Sequence, residues 1–300
     1  MNGHINTIII YITVCLTGAQ GWESKLFPDT GGAYSRVSVE RNSVTFRLPD
    51  FSYAGYRSGM VAVPDIPVAV ELTPVAGDNA PQINRAIGKV SRKKPDENGF
   101  RGKIMLSEGT FEIHNEIKIY HSGIVVGGNG YLFNPVCSDD HLFRDCSAKN
   151  GRHNFILHYS TSGCVFTGCS SQNSRSDFHQ YLSSENLFDN VTLHRDSVTA
   201  GNRGDKSQGS WWCATKPVFW NMQGGGAMYM NAWGAGYLIG ADTAIGIGVG
   251  DRHILQDYGL SYLPHRQWIE RGDGALQPES LYEAQLNMRK QRLSSGNERK

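Results

Sequence analysis

Polar side chains that could move a proton and hold an anion are grouped between residues 177 and 212. The candidate site residues in this group are Asp177, His179, His194, Arg195, Arg203, Lys206, Trp211 and Trp212. Histidine titrates nearest neutral pH, so His179 is the first candidate for a general base, with Lys206 second. A guanidinium grips a carboxylate through two parallel hydrogen bonds, which suits Arg195 and Arg203 to a bound acid. Together, a base and cationic side chains suit a reaction that removes a proton from the carbon beside the carboxylate of a bound substrate.

Short repeated segments must position these side chains. Four segments share an apolar residue followed by Phe, and they are Leu142–Cys146, Val165–Cys169, Leu187–Val191 and Val218–Met222. Aligned on the Phe, the spacings are 23, 22 and 31 residues. A period near 22 is typical of one small unit stacked on copies of itself. The pattern predicts a right-handed parallel β-helix, an all-β fold in which each coil has three short strands.

The repeat also predicts an internal row of aromatic rings. One Phe from each segment should stack on the next, and the four are Phe143, Phe166, Phe188 and Phe219. The 31-residue spacing contains the insertion that carries most of the chemically capable side chains. Since an interruption of this kind does nothing for the core, its polar residues are better candidates for function than for packing.

The N-terminus reads as a targeting segment. An apolar run of nine residues, Ile8–Leu16, is too short to span a bilayer and is followed by small residues at Thr17–Ala19. We expect a signal peptide over residues 1–19 and a secreted, extracellular protein, although the first residues carry no Lys or Arg and a buried strand is the alternative. The net charge of +1 gives no electrostatic reason to expect nucleic acid. No later segment reaches membrane-spanning length, so we expect no membrane partner.

Five cysteines follow the signal segment, so at least one cannot pair within the chain. Cys146 and Cys169 hold the same place in successive repeats, which suits either a disulfide or two buried thiols. No pair has the Cys-x-x-Cys spacing of a zinc site, and no metal site or cofactor is predicted. The adjacent acids Asp139 and Asp140 leave calcium as an alternative.

A short amphipathic helix is predicted before the strands. It should begin near Asn79, bury apolar residues at i, i+3, i+4 and i+7 from Ile83, and end before Pro95. Such a helix would cap the end of a stack of strands. The predicted division is residues 1–19 for the signal, 20–76 for a lead-in, 77–270 for the β-helix with its capping helix, and 271–300 for a short helical tail whose Arg289–Arg292 end is solvated.

The chain resembles the pectate-lyase superfamily of β-helix proteins. The resemblance rests on Gly77-Asp78 before the helix, Gly-x-Ile-x-Leu-x-x-Gly-Thr-Phe-x-Ile at 102–113, Ile-x-Ile at 117–119, Ser-Gly-Ile-Val-Val-x-Gly-x-Gly at 122–130, the lead-in 50–56 and Pro-x-Ser-Leu-Tyr-x-Ala-Gln-Leu at 278–286. The matching stretches cover residues 48–130 and 177–289. The chain departs from the superfamily in having only about six coils, so it resembles a shortened member.

The resemblance implies a carbohydrate-active protein with a groove along one face. The expected substrate is an acidic polysaccharide, and the expected reaction is lyase cleavage by β-elimination. Asp177, His179, Arg195, Arg203 and Lys206 would then act in catalysis, while His194, Trp211 and Trp212 would bind sugar. Two alternatives stay open. One is a glycoside hydrolase that uses two of Asp177, Asp189, Asp196 and Asp205. The other is an inactive glycan-binding or structural β-helix.

Overall fold

The computed structural model describes residues 21–61, 64–107, 109, 111–127, 133, 135–151, 153–204, 211–242, 246–248 and 266–295. The predicted signal segment, Asp205 and Lys206 lie outside these ranges. Within them the chain is mostly strands in parallel sheets, with two helices. None of the helices in this part of the chain has the length and hydropathy to cross a membrane.

The N-terminal part contains six strands and one helix. In chain order they are β1 (Trp22–Glu23), β2 (Val39–Arg41), β3 (Val44–Phe46), β4 (Val68–Leu72), α1 (Ala80–Ser91), β5 (Gly102–Leu106) and β6 (Ile124–Gly127). The remainder is made of shorter strands and one further helix. They are β7 (Leu142–Arg144), β8 (Ser147–Lys149), β9 (Ile156–His158), β10 (Val165–Thr167), β11 (Ser170–Gln172), β12 (Arg175–Gln180), β13 (Ser183–Ser184), β14 (Leu187–Asp189), β15 (Thr192–His194), β16 (Ser197–Ala200), β17 (Ala214–Thr215), β18 (Val218–Trp220), β19 (Gln223–Gly224), β20 (Ala227–Met230), β21 (Gly236–Ile239), β22 (Gly246–Gly248), β23 (Gln267–Glu270), β24 (Leu276–Gln277) and α2 (Leu281–Ser294).

Three large parallel sheets dominate the second half. Their strand orders are β7-β10-β14-β18-β21-β23, β8-β11-β15-β19 and β9-β12-β16-β20-β22. Successive strands along the chain belong to different sheets, and each sheet gains a strand as the chain advances. Among the named strands of the described residues, only β2 and β3 pair antiparallel.

The four repeated segments lie side by side in the six-stranded sheet, in the register that their spacing predicts. Phe143 pairs with Phe166, Phe166 with Phe188, and Phe188 with Phe219. The successive ring centroids are 4.5, 5.0 and 5.6 Å apart. The last three rings are buried and Phe143 is partly buried. The predicted row of phenylalanines is therefore confirmed, with the first two pairs stacked and Phe188 and Phe219 tilted by 37°.

The same sheet is also buried on its other face. Val165, Leu187 and Val218, which precede these phenylalanines, pack in a second apolar cluster with residues of the lead-in and of α2. Trp220 lies in this cluster and donates its indole N–H to the carbonyl of Pro278 at 2.9 Å. Because both faces are covered, each segment is apolar at consecutive positions instead of alternating with polar residues.

The predicted amphipathic helix is α1. It begins at Ala80, ends at Ser91, and buries Ile83, Ala86, Ile87 and Val90. These side chains pack on β4, β5 and β6, which form a separate three-stranded parallel sheet. The helix is amphipathic as predicted, and it covers this three-stranded sheet; its role as the cap of the longer stack of strands stays a prediction. β4 lies in the predicted lead-in but pairs with β5 of the next predicted segment.

The C-terminal tail is helical and docks on the six-stranded sheet. Ser280 caps α2 by accepting from the backbone N–H of Glu283, and its hydroxyl donates to the Asp189 carboxylate at 2.5 Å. The prediction that the Arg289–Arg292 end is solvated is wrong for Arg289. That side chain is buried, bonds the carbonyl of Ser58 and lies 4.0 Å from the ring centre of Tyr53.

Asp189 gives the fold a pH dependence. Burial raises its pKa to about 6, although the Thr167 hydroxyl and the Leu281 N–H donate to it. The folded state therefore holds this proton more tightly than the unfolded state, and the contribution to stability is lost as pH rises from about 4 to about 6. We expect Asp189→Asn to become more stable relative to the wild type by roughly 2–3 kcal/mol between pH 4 and pH 7.

Urea unfolding at several pH values measures this difference. Asp273→Asn, at an exposed aspartate, is the matched control and should follow the wild-type curve. Parallel pH curves for Asp189→Asn and the wild type would show that Asp189 ionises alike in the folded and unfolded chain.

The five cysteines after the signal segment are free thiols. Cys146 and Cys169 occupy adjacent repeats as predicted, and the structure favours the two-thiol alternative over the disulfide. The Cys169 thiol is buried beside the carbonyl of Phe143.

Candidate functional site

The site is built on strand β12. Phe178 points into the aromatic core, so its neighbours Asp177 and His179 project from the opposite face of the sheet. The pairing with β9 is irregular between Phe178 and Gln180, where Gln180 takes the place opposite His158. Irregularities of this kind re-aim side chains and are frequent beside functional sites.

Asp177 is the centre of the cluster and is fully buried. Its Oδ2 accepts from Arg203 Nη1 at 2.5 Å and from His179 Nδ1 at 3.0 Å. An ionised carboxylate only accepts, so this contact places a proton on Nδ1, and in the neutral imidazole Nε2 then carries the lone pair. The His179 side chain is 16% exposed, so Asp177 orients a partly accessible base.

Residues 202–204 and 211–212 pair with each other and place Arg203 beside Asp177; we call these two segments the strap. The Arg203 N–H donates to the carbonyl of Trp211 at 2.8 Å, and the Trp211 N–H donates to the carbonyl of Gly204 at 2.9 Å. Asn202 and Trp212 form an antiparallel bridge beside them. Trp211 is 42% exposed and Trp212 is partly buried, so Trp211 has the larger exposed surface. Lys206 belongs to the same insertion but lies outside the described residues.

Two further histidines complete the cluster, and the sequence reasoning missed both. The rings of His153 and His158 lie 5.1 and 4.9 Å from the ring of His179, centre to centre. His153 donates from Nδ1 to the carbonyl of Arg175 at 2.8 Å. Burial lowers the pKa of His158 to about 4 and also lowers the pKa of His153.

The cluster can hold a cation. One ring nitrogen each from His153 and His179 and one oxygen of Asp177 lie within 4.8 Å of one another. This is the one group of at least three such ligands within the described ranges. The Asp139-Asp140 pair, named above for calcium, is not part of it. Asp139 accepts a hydrogen bond from the Ser162 hydroxyl at 2.7 Å.

His194 and Arg195 lie at a different place from the Asp177 cluster. They line an open concavity with Gln172 and Gly225, beside the four-stranded sheet. The predicted single groove therefore separates into two surfaces. One surface contains Asp177, His179, Arg203 and Trp211. The other contains His194 and Arg195.

The other acidic candidates serve the fold. Asp189 anchors α2, as described above. Asp196 is buried, its Oδ2 accepts from the Ser171 hydroxyl, and its Oδ1 accepts from the backbone N–H of Ser197 at 2.6 Å. Asp205, the remaining carboxylate proposed for hydrolysis, lies outside the described residues.

Comparisons of this chain with protein-family models, with curated proteins and with solved structures found no match. The resemblance to the pectate-lyase superfamily therefore stays a prediction.

Proposed function

We propose that this chain is a secreted parallel β-helix enzyme that cleaves an acidic polysaccharide by β-elimination at Asp177 and His179. The β-helix assignment is supported by the three parallel sheets, whose strands recur in the same cyclic order from β7 to β21. The reaction is supported by one observation above all, the hydrogen-bonded Asp177–His179 pair beside Arg203.

The proposed reaction begins with His179 Nε2, which takes the proton from the carbon beside the sugar carboxylate. The electron pair of the broken C–H bond forms a carbon–carbon double bond, and the glycosidic oxygen leaves and takes a proton from solvent. Asp177 stabilises the imidazolium that forms, because its Oδ2 already accepts the Nδ1 proton. The product is an unsaturated sugar at the new end.

Arg203 supplies the positive charge on the substrate side of the pair. One of its nitrogens contacts Asp177, and its remaining N–H groups are proposed to face the sugar carboxylate, whose charge grows in the enediolate-like transition state. The exposed face of Trp211 beside it suits a sugar ring. The elimination requires the base and the cation, while the aromatic surface serves sugar binding.

Replacement of Arg203 by lysine tests its proposed contact with substrate. Lysine keeps the charge but loses the paired geometry of a guanidinium, so we expect KM to rise by about tenfold with kcat less affected. Steady-state kinetics on a confirmed substrate measure both constants. Arg47→Lys, at an exposed arginine in the lead-in, is the matched control. An unchanged KM in Arg203→Lys would remove Arg203 from the substrate contact.

A further inference from the structure

We infer that His153, Asp177 and His179 bind a divalent transition metal of the zinc type, with His158 beside them. Neither the repeat nor the cysteine pattern predicts such a site, and it goes beyond the proposed reaction. The inference rests on buried nitrogen and oxygen atoms of the cluster that have no hydrogen-bond partner. It also rests on the hydrogen bonds that fix the other polar atoms of the same side chains.

Three buried ligand atoms of this cluster have no hydrogen-bond partner among the described residues. They are Asp177 Oδ1, His153 Nε2 and His158 Nε2. Asp177 is fully buried and His153 is 8% exposed, so bulk water does not satisfy these atoms. An unsatisfied buried polar atom costs about 1–3 kcal/mol, and three together imply a group that the folded chain is built to receive.

The other polar atoms of these side chains are already fixed. His153 donates its Nδ1 proton to a backbone carbonyl, which leaves a lone pair on Nε2. Asp177 uses Oδ2 for both Arg203 and His179, which leaves Oδ1. An imidazole held through its far nitrogen is the usual outer support of a metal-binding histidine. The cluster therefore presents oriented donors with their supporting contacts in place.

The donor types select the class of metal. Imidazole nitrogen with one carboxylate oxygen suits zinc and its neighbours, whereas calcium and magnesium prefer all-oxygen sites. Zinc bonds of about 2.0–2.1 Å place tetrahedral ligand atoms roughly 3.4 Å apart. One ring nitrogen each of His153 and His179 and one oxygen of Asp177 lie within 4.8 Å of one another, so small side-chain rotations would bring them to bonding distance. For His179 the nitrogen on the Asp177 side is Nδ1, so a shared metal would take the place of the Nδ1 proton. Arg203 contacts Oδ2 and leaves Oδ1 to the metal.

A metal here would regulate the proposed reaction, and this consequence rests on the proposed function. Nδ1 is the His179 nitrogen that faces Asp177, so a metal that both residues bind displaces the Nδ1 proton, which moves to Nε2. With Nε2 protonated, His179 has no lone pair to accept the substrate proton. Saturating zinc should therefore suppress elimination, and a chelator should restore it.

Zinc binding is measured directly on the metal-free chain, by competition with a chromophoric chelator and by calorimetry. We expect one zinc ion per chain, with a dissociation constant in roughly the micromolar range or below. His153→Gln and Asp177→Asn should each weaken binding by at least about tenfold. His121→Gln, at an exposed histidine, is the matched control and should bind as the wild type does. Cobalt should give the visible absorption of a nitrogen- and oxygen-ligated ion.

Circular dichroism and urea unfolding establish whether each variant is folded. If Asp177→Asn does not fold, the zinc affinity of His153→Gln alone tests the site. Absence of saturable zinc binding, or wild-type affinity in folded His153→Gln, overturns the metal site. Zinc binding by a chain that cleaves no glycan supports the site and removes the proposed reaction. Glycan cleavage that saturating zinc leaves unchanged overturns the regulation of His179 by the metal.

Discussion

Replacement of His179 by alanine should lower turnover by about two to four orders of magnitude, which is the range that a positioned general base contributes. The expectation follows from its place in the cluster. Asp177 fixes the Nδ1 proton, so the lone pair of Nε2 is available, and the side chain is partly exposed. Release of the ultraviolet-absorbing unsaturated product, followed in the presence of a chelator, measures the effect.

The fold should tolerate this change, because His179 projects away from the aromatic core that Phe178 enters. His121→Ala is the matched control and should retain wild-type turnover. If folded His179→Ala turns over a confirmed substrate at the wild-type rate, His179 is not the base.

Replacement of Phe166 by alanine should lower the free energy of unfolding by roughly 3–5 kcal/mol. This ring is fully buried between those of Phe143 and Phe188, whose centres lie 4.5 and 5.0 Å away. Its loss leaves a cavity in the middle of the row and removes contacts on both ring faces. Urea unfolding monitored by circular dichroism gives the value.

Tyr120→Ala is the control for Phe166→Ala, since Tyr120 is 80% exposed and should change stability by less than about 0.5 kcal/mol. A loss below about 1 kcal/mol for Phe166→Ala would contradict the stacked register.

The register of the four repeated segments in the six-stranded sheet was predictable because each segment carries the same apolar-Phe motif. When segments recur at 22 or 23 residues, parallel strands of equal length align residue for residue, as Phe166 and Phe188 do. The helix α1 was predictable for a similar reason, since its buried face follows from local periodicity. In both cases the residue pattern within short stretches of sequence is enough to predict the structure.

The full histidine cluster was not predicted, although its signal lies in the same period. His158 precedes His179 by 21 residues, and the backbone carbonyl that holds His153 belongs to a residue 22 positions later. Residues about one repeat apart lie on neighbouring strands, so the polar side chains one repeat upstream of His179 join its cluster.

The path of the insertion could not be derived from the repeat. Arg195 and Arg203 are eight positions apart, yet Arg203 contacts Asp177 whereas Arg195 lies beside His194. Arg195 sits in a turn between two strands, while Arg203 belongs to the strap that bridges to Trp212. The strap depends on pairing between residues 202–204 and 211–212, which no strand pattern in the sequence indicates.

Incubation of the purified, metal-free chain with a panel of acidic polysaccharides tests the central claim most directly. Ultraviolet absorbance and reducing ends are recorded together, since elimination produces both and hydrolysis produces reducing ends alone. The account predicts an absorbing product from at least one acidic polysaccharide, lost in His179→Ala. Reducing ends without absorbance, or no product from any member of the panel, would contradict it.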